Sequence, residues 1–86
     1  MNFGQALESL KLGSKVAREG WNGKGMWIQL YRPDSDEGIV AVIDGEGKWI
    51  PLAPHILMKT ATSEFVPWIA SQTDILAEDW NIVLGD

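Results

Sequence analysis

His55, between Pro54 and Ile56, is the only histidine in the chain. It is the one side chain whose ordinary pKa suits a general base near neutral pH. Such a base works only beside a positioned partner, and the sequence shows none. Ser14, Ser35, Ser63 and Ser71 lack the strand-turn-helix setting of a nucleophile elbow. Asn22-Gly23-Lys24-Gly25 looks superficially like a phosphate loop, but its spacing is wrong for one. With no Cys and one His, neither a thiolate nor a multi-histidine metal site can form within one chain. Asp34, Asp36 and Glu37 lack calcium-loop spacing and read as a solvated loop. The chain is therefore read as a non-enzyme, with no catalytic residues, no metal and no cofactor.

The five Trp residues are the most unusual feature. In a small chain large rings build a core, and the apolar, strand-like surroundings of Trp27, Trp49 and Trp80 assign them there. Trp21 differs, because it sits in the Gly-rich stretch Gly20-Trp21-Asn22-Gly23-Lys24-Gly25. It either packs in the core or stacks on a planar ligand such as a base, and the neighbouring Asn22 amide can read a base edge. Trp68, before the polar Ser71-Gln72-Thr73 stretch, is the next stacking candidate. Phosphate donors would come from Arg18, Lys24, Arg32, the N–H groups near Gly23 and Gly25, and the helix start at Ser71, Gln72, Thr73 and Asp74. Asp74 competes for those helix donors, or accepts from a ribose hydroxyl or an adenine amino group. The plainer reading of Arg18 and Arg32 is surface charge.

These residues need elements to hold them. Phe3, Ala6, Leu7 and Leu10 mark one face of a helix, capped by Asn2 with Gln5 and stopped at Gly13. Lys15–Glu19, Met26–Tyr31 and Ile39–Ile43 read as strands. Lys48–Leu52 returns from an Asp44-Gly45-Glu46-Gly47 hairpin loop, and Ile56–Lys59 and Glu64–Trp68 form a further hairpin. Ser71 and Asp74 start a short helix, with Asn81–Leu84 as a closing strand; Leu76 and Trp80 are assigned to the core. The fold class is α+β: an N-terminal helix packed on an antiparallel sheet of about five strands, with a short helix near the C-terminus. Residues 1–86 read as a single domain.

Charge and size narrow the partners. The net charge of −5 disfavours DNA or RNA polymers and anionic membranes, though not a small anion held by local donors. No run approaches the roughly 18 apolar residues of a membrane span, and the N-terminus does not read as a signal peptide. A domain this small, without disulfides or metal, gains most from self-association. The absence of Cys fits a cytoplasmic protein.

Asn2-Phe3-Gly4-Gln5-Ala6-Leu7, Gly13, Val16-Ala17-Arg18 and Gly20 to Met26 resemble the opening of a family of small phage and prophage proteins. Met58-Lys59-Thr60-Ala61, Val66-Pro67-Trp68, Ser71-Gln72-Thr73-Asp74 and Leu76 to Trp80 resemble its end, while residues 33–54 are the variable middle. The family includes the second class of phage Thoeris anti-defence proteins. The resemblance implies a sponge in the host bacterial cytoplasm that binds a cyclic ADP-ribose isomer made by a TIR protein and holds it uncleaved. It also implies a homo-oligomer, a tetramer with pockets between subunits, and in some relatives cyclic oligonucleotides as ligands. Trp21, Asn22, Ser71, Gln72, Thr73 and Asp74 match as motif positions. Two other readings stay open: a module docking on a host enzyme through aromatic anchors, and an enzyme degrading a nucleotide signal.

Overall fold

Two capping boxes launch the helices of the computed structural model, which describes residues 1–21, 24–33 and 41–85. The Asn2 side chain accepts the Gln5 N–H at 2.9 Å, and the Gln5 side chain accepts the Asn2 N–H at 2.9 Å, starting α1 (Phe3–Lys11). The helix ends where the Gly13 N–H reaches the Leu10 carbonyl and the Ser14 N–H reaches the Ser9 carbonyl, both at 3.0 Å. That paired ending requires a left-handed residue, and Gly13 supplies it at φ +96°. Ser71 and Asp74 exchange the same reciprocal bonds to start α2 (Gln72–Leu76).

The strands are β1 (Lys15–Arg18), β2 (Trp27–Tyr31), β3 (Ala41–Ile43), β4 (Trp49–Pro51), β5 (His55–Lys59), β6 (Phe65–Pro67) and β7 (Trp80–Val83). Five of them form one antiparallel sheet in the order β6-β5-β2-β1-β7. The expected helix-on-sheet α+β architecture is observed. β3 and β4 form a separate two-stranded hairpin rather than part of that sheet.

Register decides which side chains are buried. Val16 faces Ile28 and Ile82 across its two ladders, and Ile28 faces Met58. Alternation along each strand puts these residues on the face that α1 covers. Val16, Ile28 and Met58 make the buried core with Ala6, Leu10 and Trp80, while Ile82 on the edge strand stays 44% exposed. Trp27, one residue from Ile28, points to the opposite face and is half-buried there. Of the three Trp residues assigned to the core, only Trp80 is fully inside it. Trp49 is 64% exposed, because its hairpin lies outside the layer that α1 covers. Leu76 is likewise not a core residue: it is 78% exposed, at the end of a helix only five residues long. His55 is structural, donating from Nδ1 to the Ala53 carbonyl at 2.8 Å and meeting the Tyr31 ring edge-on. Arg32 is exposed and donates to the Lys11 carbonyl at 2.9 Å, a cation at the negative end of α1.

The two devices that define α1 have separate costs. Gly13→Ala forces a side chain into a left-handed backbone and is expected to cost about 1–2 kcal/mol. Asn2→Ala removes the cap and is expected to cost about 1 kcal/mol. Urea unfolding of each variant, followed by far-ultraviolet circular dichroism, checks both.

Candidate functional site

Trp80 organises one corner of the fold. Its side chain is fully buried, so its indole N–H needs a partner, and it donates to the Asp74 carbonyl at 3.0 Å. Its backbone is held as firmly. The N-terminal ammonium of Met1 donates to the Trp80 carbonyl at 2.7 Å, and the Trp80 N–H donates to the Met1 carbonyl at 3.1 Å. Met1 thereby closes the first rung along the outer edge of β7.

Three aromatic rings gather around that indole. Trp21 meets it edge-on at 5.4 Å between centroids and Trp68 edge-on at 6.1 Å, while Phe3 is tilted at 5.6 Å. Trp21 and Trp68 lie 6.5 Å from each other. These edge-to-face arrangements suit the ring quadrupoles and fix both outer rings. Trp21 and Trp68 are only half-buried, so each keeps part of its surface open. Trp21 is thus packed against the core without being enclosed by it.

Beneath the rings Arg18 is gripped by two carboxylates. Its Nε donates to Asp79 Oδ1 at 2.9 Å and its Nη1 donates to Asp74 Oδ1 at 3.0 Å. Asp79 also accepts the Gly20 N–H through Oδ2 at 2.9 Å, and its own carbonyl accepts the Glu19 N–H. A β-carbon on Gly20 would stand 3.0 Å from Asp79 Oδ2, so a larger residue there would make that carboxylate give way by a few tenths of an ångström. The Trp21 N–H completes the turn on the Arg18 carbonyl at 3.3 Å. Asp79 is therefore the anchor that aims Trp21.

The charges respond to this grip. Hydrogen bonds to Asp79 and then Asp74 push Arg18 above its already high value. For Asp79 the Arg18 guanidinium is the main cause of a lowered pKa, helped by the Gly20 N–H. Burial pushes Asp74 up, but the Ser71 N–H, the Arg18 guanidinium and the Ser71 hydroxyl outweigh it, and its carboxyl lies below the usual value.

The structure brings together Arg18, Trp21, Trp68, Ser71 and Asp74, which lie as far as 56 residues apart in the chain. Gln72 and Thr73 follow on α2 with exposed side chains. Asn22 and Gly23 lie outside the described residues, as do Asp34, Asp36 and Glu37. Arg32 lies elsewhere, beside a concavity of about 370 Å³ lined by Leu10, Leu12, Leu30, Tyr31 and Pro33. Sequence reasoning missed Asp79, Phe3 and the Met1 ammonium as parts of the corner. A 61-residue separation hides the Arg18–Asp79 pair, and nothing local marks it.

The Thoeris anti-defense 2-like domain family matches residues 1–83. A protein of Bacillus phage SP01 named Thoeris anti-defense 2 is 47% identical over 89 positions, covering 96% of this chain and 94% of that protein. The chain belongs to the Thoeris anti-defense 2-like family. Membership supports a role in countering Thoeris defence. It also agrees with the resemblance drawn from the two ends of the sequence, whose motif residues Trp21, Ser71 and Asp74 meet at the aromatic corner.

The lowered pKa values have a definite sign. Asp74 and Asp79 bind protons less readily folded than unfolded, so they add stability above the ordinary Asp value of 3.8 and lose it as pH falls through their lower folded values. The melting temperature is therefore expected to drop as pH is lowered below about 4. Asp79→Asn should melt lower than the parent at pH 7, with a smaller acid-induced drop. Thermal melts from pH 7 to pH 2.5 check both.

Proposed function

We propose that the chain blocks Thoeris immunity by sequestering a cyclic ADP-ribose-type signalling nucleotide, without cleaving it, at the corner built on Trp21 and Trp68. The observation that carries this reading is the pairing of two fixed, half-open indole rings with the exposed polar start of α2. Rings held in place before binding give up little freedom when a base stacks on them. Ser71, Gln72 and Thr73 offer hydroxyl and amide groups to the sugar and base edges.

Arg18 supports the ring framework rather than serving as a free phosphate donor. Two of its nitrogens are already committed to Asp79 and Asp74. Phosphates would instead meet Lys24, which is exposed on the turn after Trp21, together with backbone N–H groups and side chains of a neighbouring copy. This division suits a homo-oligomer, a tetramer on the resemblance, with each pocket completed between subunits. It also suits an acidic chain, which gathers its cations locally from more than one copy. Outcompeting a defence receptor calls for nanomolar affinity, about −12 kcal/mol.

The test is to incubate the protein with cyclic ADP-ribose isomers and cyclic oligonucleotides, measure the loss of free ligand, then denature the protein and identify what is released. Depletion of a cyclic ADP-ribose isomer with intact release is the expected result. Intact release of a cyclic oligonucleotide instead reassigns the ligand. A cleaved product makes the chain an enzyme, and no depletion at all turns the search to a protein target. Removing one stacking ring, by Trp21→Ala or Trp68→Ala, is expected to weaken binding roughly 5- to 150-fold, the equivalent of about 1–3 kcal/mol per stacked base. Calorimetric titration of each folded variant measures it.

A further inference from the structure

The β3–β4 hairpin is built as though it were covered. Register puts Ile43 and Trp49 on one of its faces and Val42 and Ile50 on the other, and all four are about half exposed or more. A two-stranded hairpin is marginal by itself in water and needs a packing partner. The molecule extends over 43 × 27 × 24 Å, with a radius of gyration of 14.5 Å. A compact chain of this length has a radius near 12 Å. It also exposes 6198 Å², where a compact monomer of its mass exposes about 5,000 Å². The excess is of the order of the roughly 800 Å² that each partner contributes to a standard interface.

The same chain carries a surface that matches the arm. On the sheet face away from α1, Trp27 and Phe65 meet edge-on at 5.7 Å across β5, flanked by Leu57, and Phe65 is 53% exposed. Lys15 lies over the Trp27 ring at 4.5 Å, and Lys59 stands between Trp27 and Phe65 in the register. The strand residues of this face include two lysines and no carboxylate, in a chain of net charge −5. The tip of the arm carries Asp44 and Glu46 against Lys48. An apolar arm with an acidic tip and an apolar face with two lysines are complementary.

We infer that the β3–β4 arm of one copy lies on the Trp27–Leu57–Phe65 sheet face of a second copy, with Glu46 directed toward Lys15 and Lys59, and that the contact is reciprocal about a two-fold axis. This deepens the proposed assembly and rests on the reading that the chain works as several copies; the identity of the ligand does not enter it. The ligand corner keeps its own residues, because neither the arm nor this face contains Trp21, Trp68 or α2.

The experiment is the mass of the intact protein in solution by sedimentation and light scattering, without ligand. The native chain is expected as a multiple of 9.5 kDa. Trp49→Asp and Phe65→Asp are each expected to lower that mass at least twofold, with circular dichroism and a cooperative melt retained. Mixing the two variants should restore a two-copy complex, because one keeps its face and the other its arm. Should either variant fail to fold, the milder pair decides: Lys59→Glu alone should weaken assembly, and adding Glu46→Lys should restore it. A monomeric native chain, an unchanged mass in both folded variants, or a mixture or charge swap that restores nothing overturns the inference. Ligand depletion by the native chain is measured separately. A monomer that depletes ligand sinks the arm contact alone, and an arm-linked assembly that depletes nothing sinks the sequestration reading alone.

Discussion

The buried Trp80 indole is the contact on which the rest of this fold depends. One residue of an edge strand receives the N-terminus on its backbone, α2 on its ring nitrogen and three aromatic rings on its faces and edges. A buried indole left without an acceptor would carry the full cost of losing water. The Asp74 carbonyl removes that cost only if α2 begins where it does. The Ser71–Asp74 capping box is thus more than a local helix start, because it sets the height of the carbonyl that Trp80 needs. Asp74 adds a second tie from the same residue, since its carboxylate holds Arg18 while its carbonyl holds Trp80.

Scale explains what lies outside this corner. One nine-residue helix can cover one face of a five-stranded sheet and no more. Ala6 and Leu10 fill the space over β1 and β2, and the core stays small. The other sheet face and the β3–β4 arm keep aromatic and aliphatic side chains at the surface, beyond what isolated surface apolar residues require. On the proposed assembly, a second copy would bury them.

Local features of this fold are legible in the sequence because their partners are three or four residues apart. Asn2 with Gln5, Ser71 with Asp74, and Gly13 after an apolar stripe mark their elements without help from the rest of the chain. The hairpin of β5 and β6 and the closing strand β7 are legible for the same reason. What the sequence hides is which strands share a sheet. An apolar strand in a detached hairpin has the same composition as one in the core, and Trp49 therefore misleads where Trp80 does not. At the site the pattern repeats. Motif positions identify Trp21, Trp68 and Asp74, but the Arg18–Asp79 contact closes only once β1 and β7 are paired. Nothing in the composition tells which of the chain's acidic residues would grip that arginine.

That grip also sets what the corner can do. A guanidinium shared by two carboxylates leaves a local charge near −1, an environment that repels phosphate at close range and accepts hydroxyl and amino hydrogens. On the proposed reading, the uncharged base and ribose of a nucleotide would turn toward Trp21, Trp68 and α2, and its phosphates would turn away toward Lys24 and the adjoining copy. Neither carboxylate is poised as a general acid, because both are held ionised by Arg18 and by N–H donors. A general acid requires a raised pKa, and here both are lowered. On the proposed reading, the two carboxylates that aim the rings thus supply no general acid at the same place, as holding a signal intact would require.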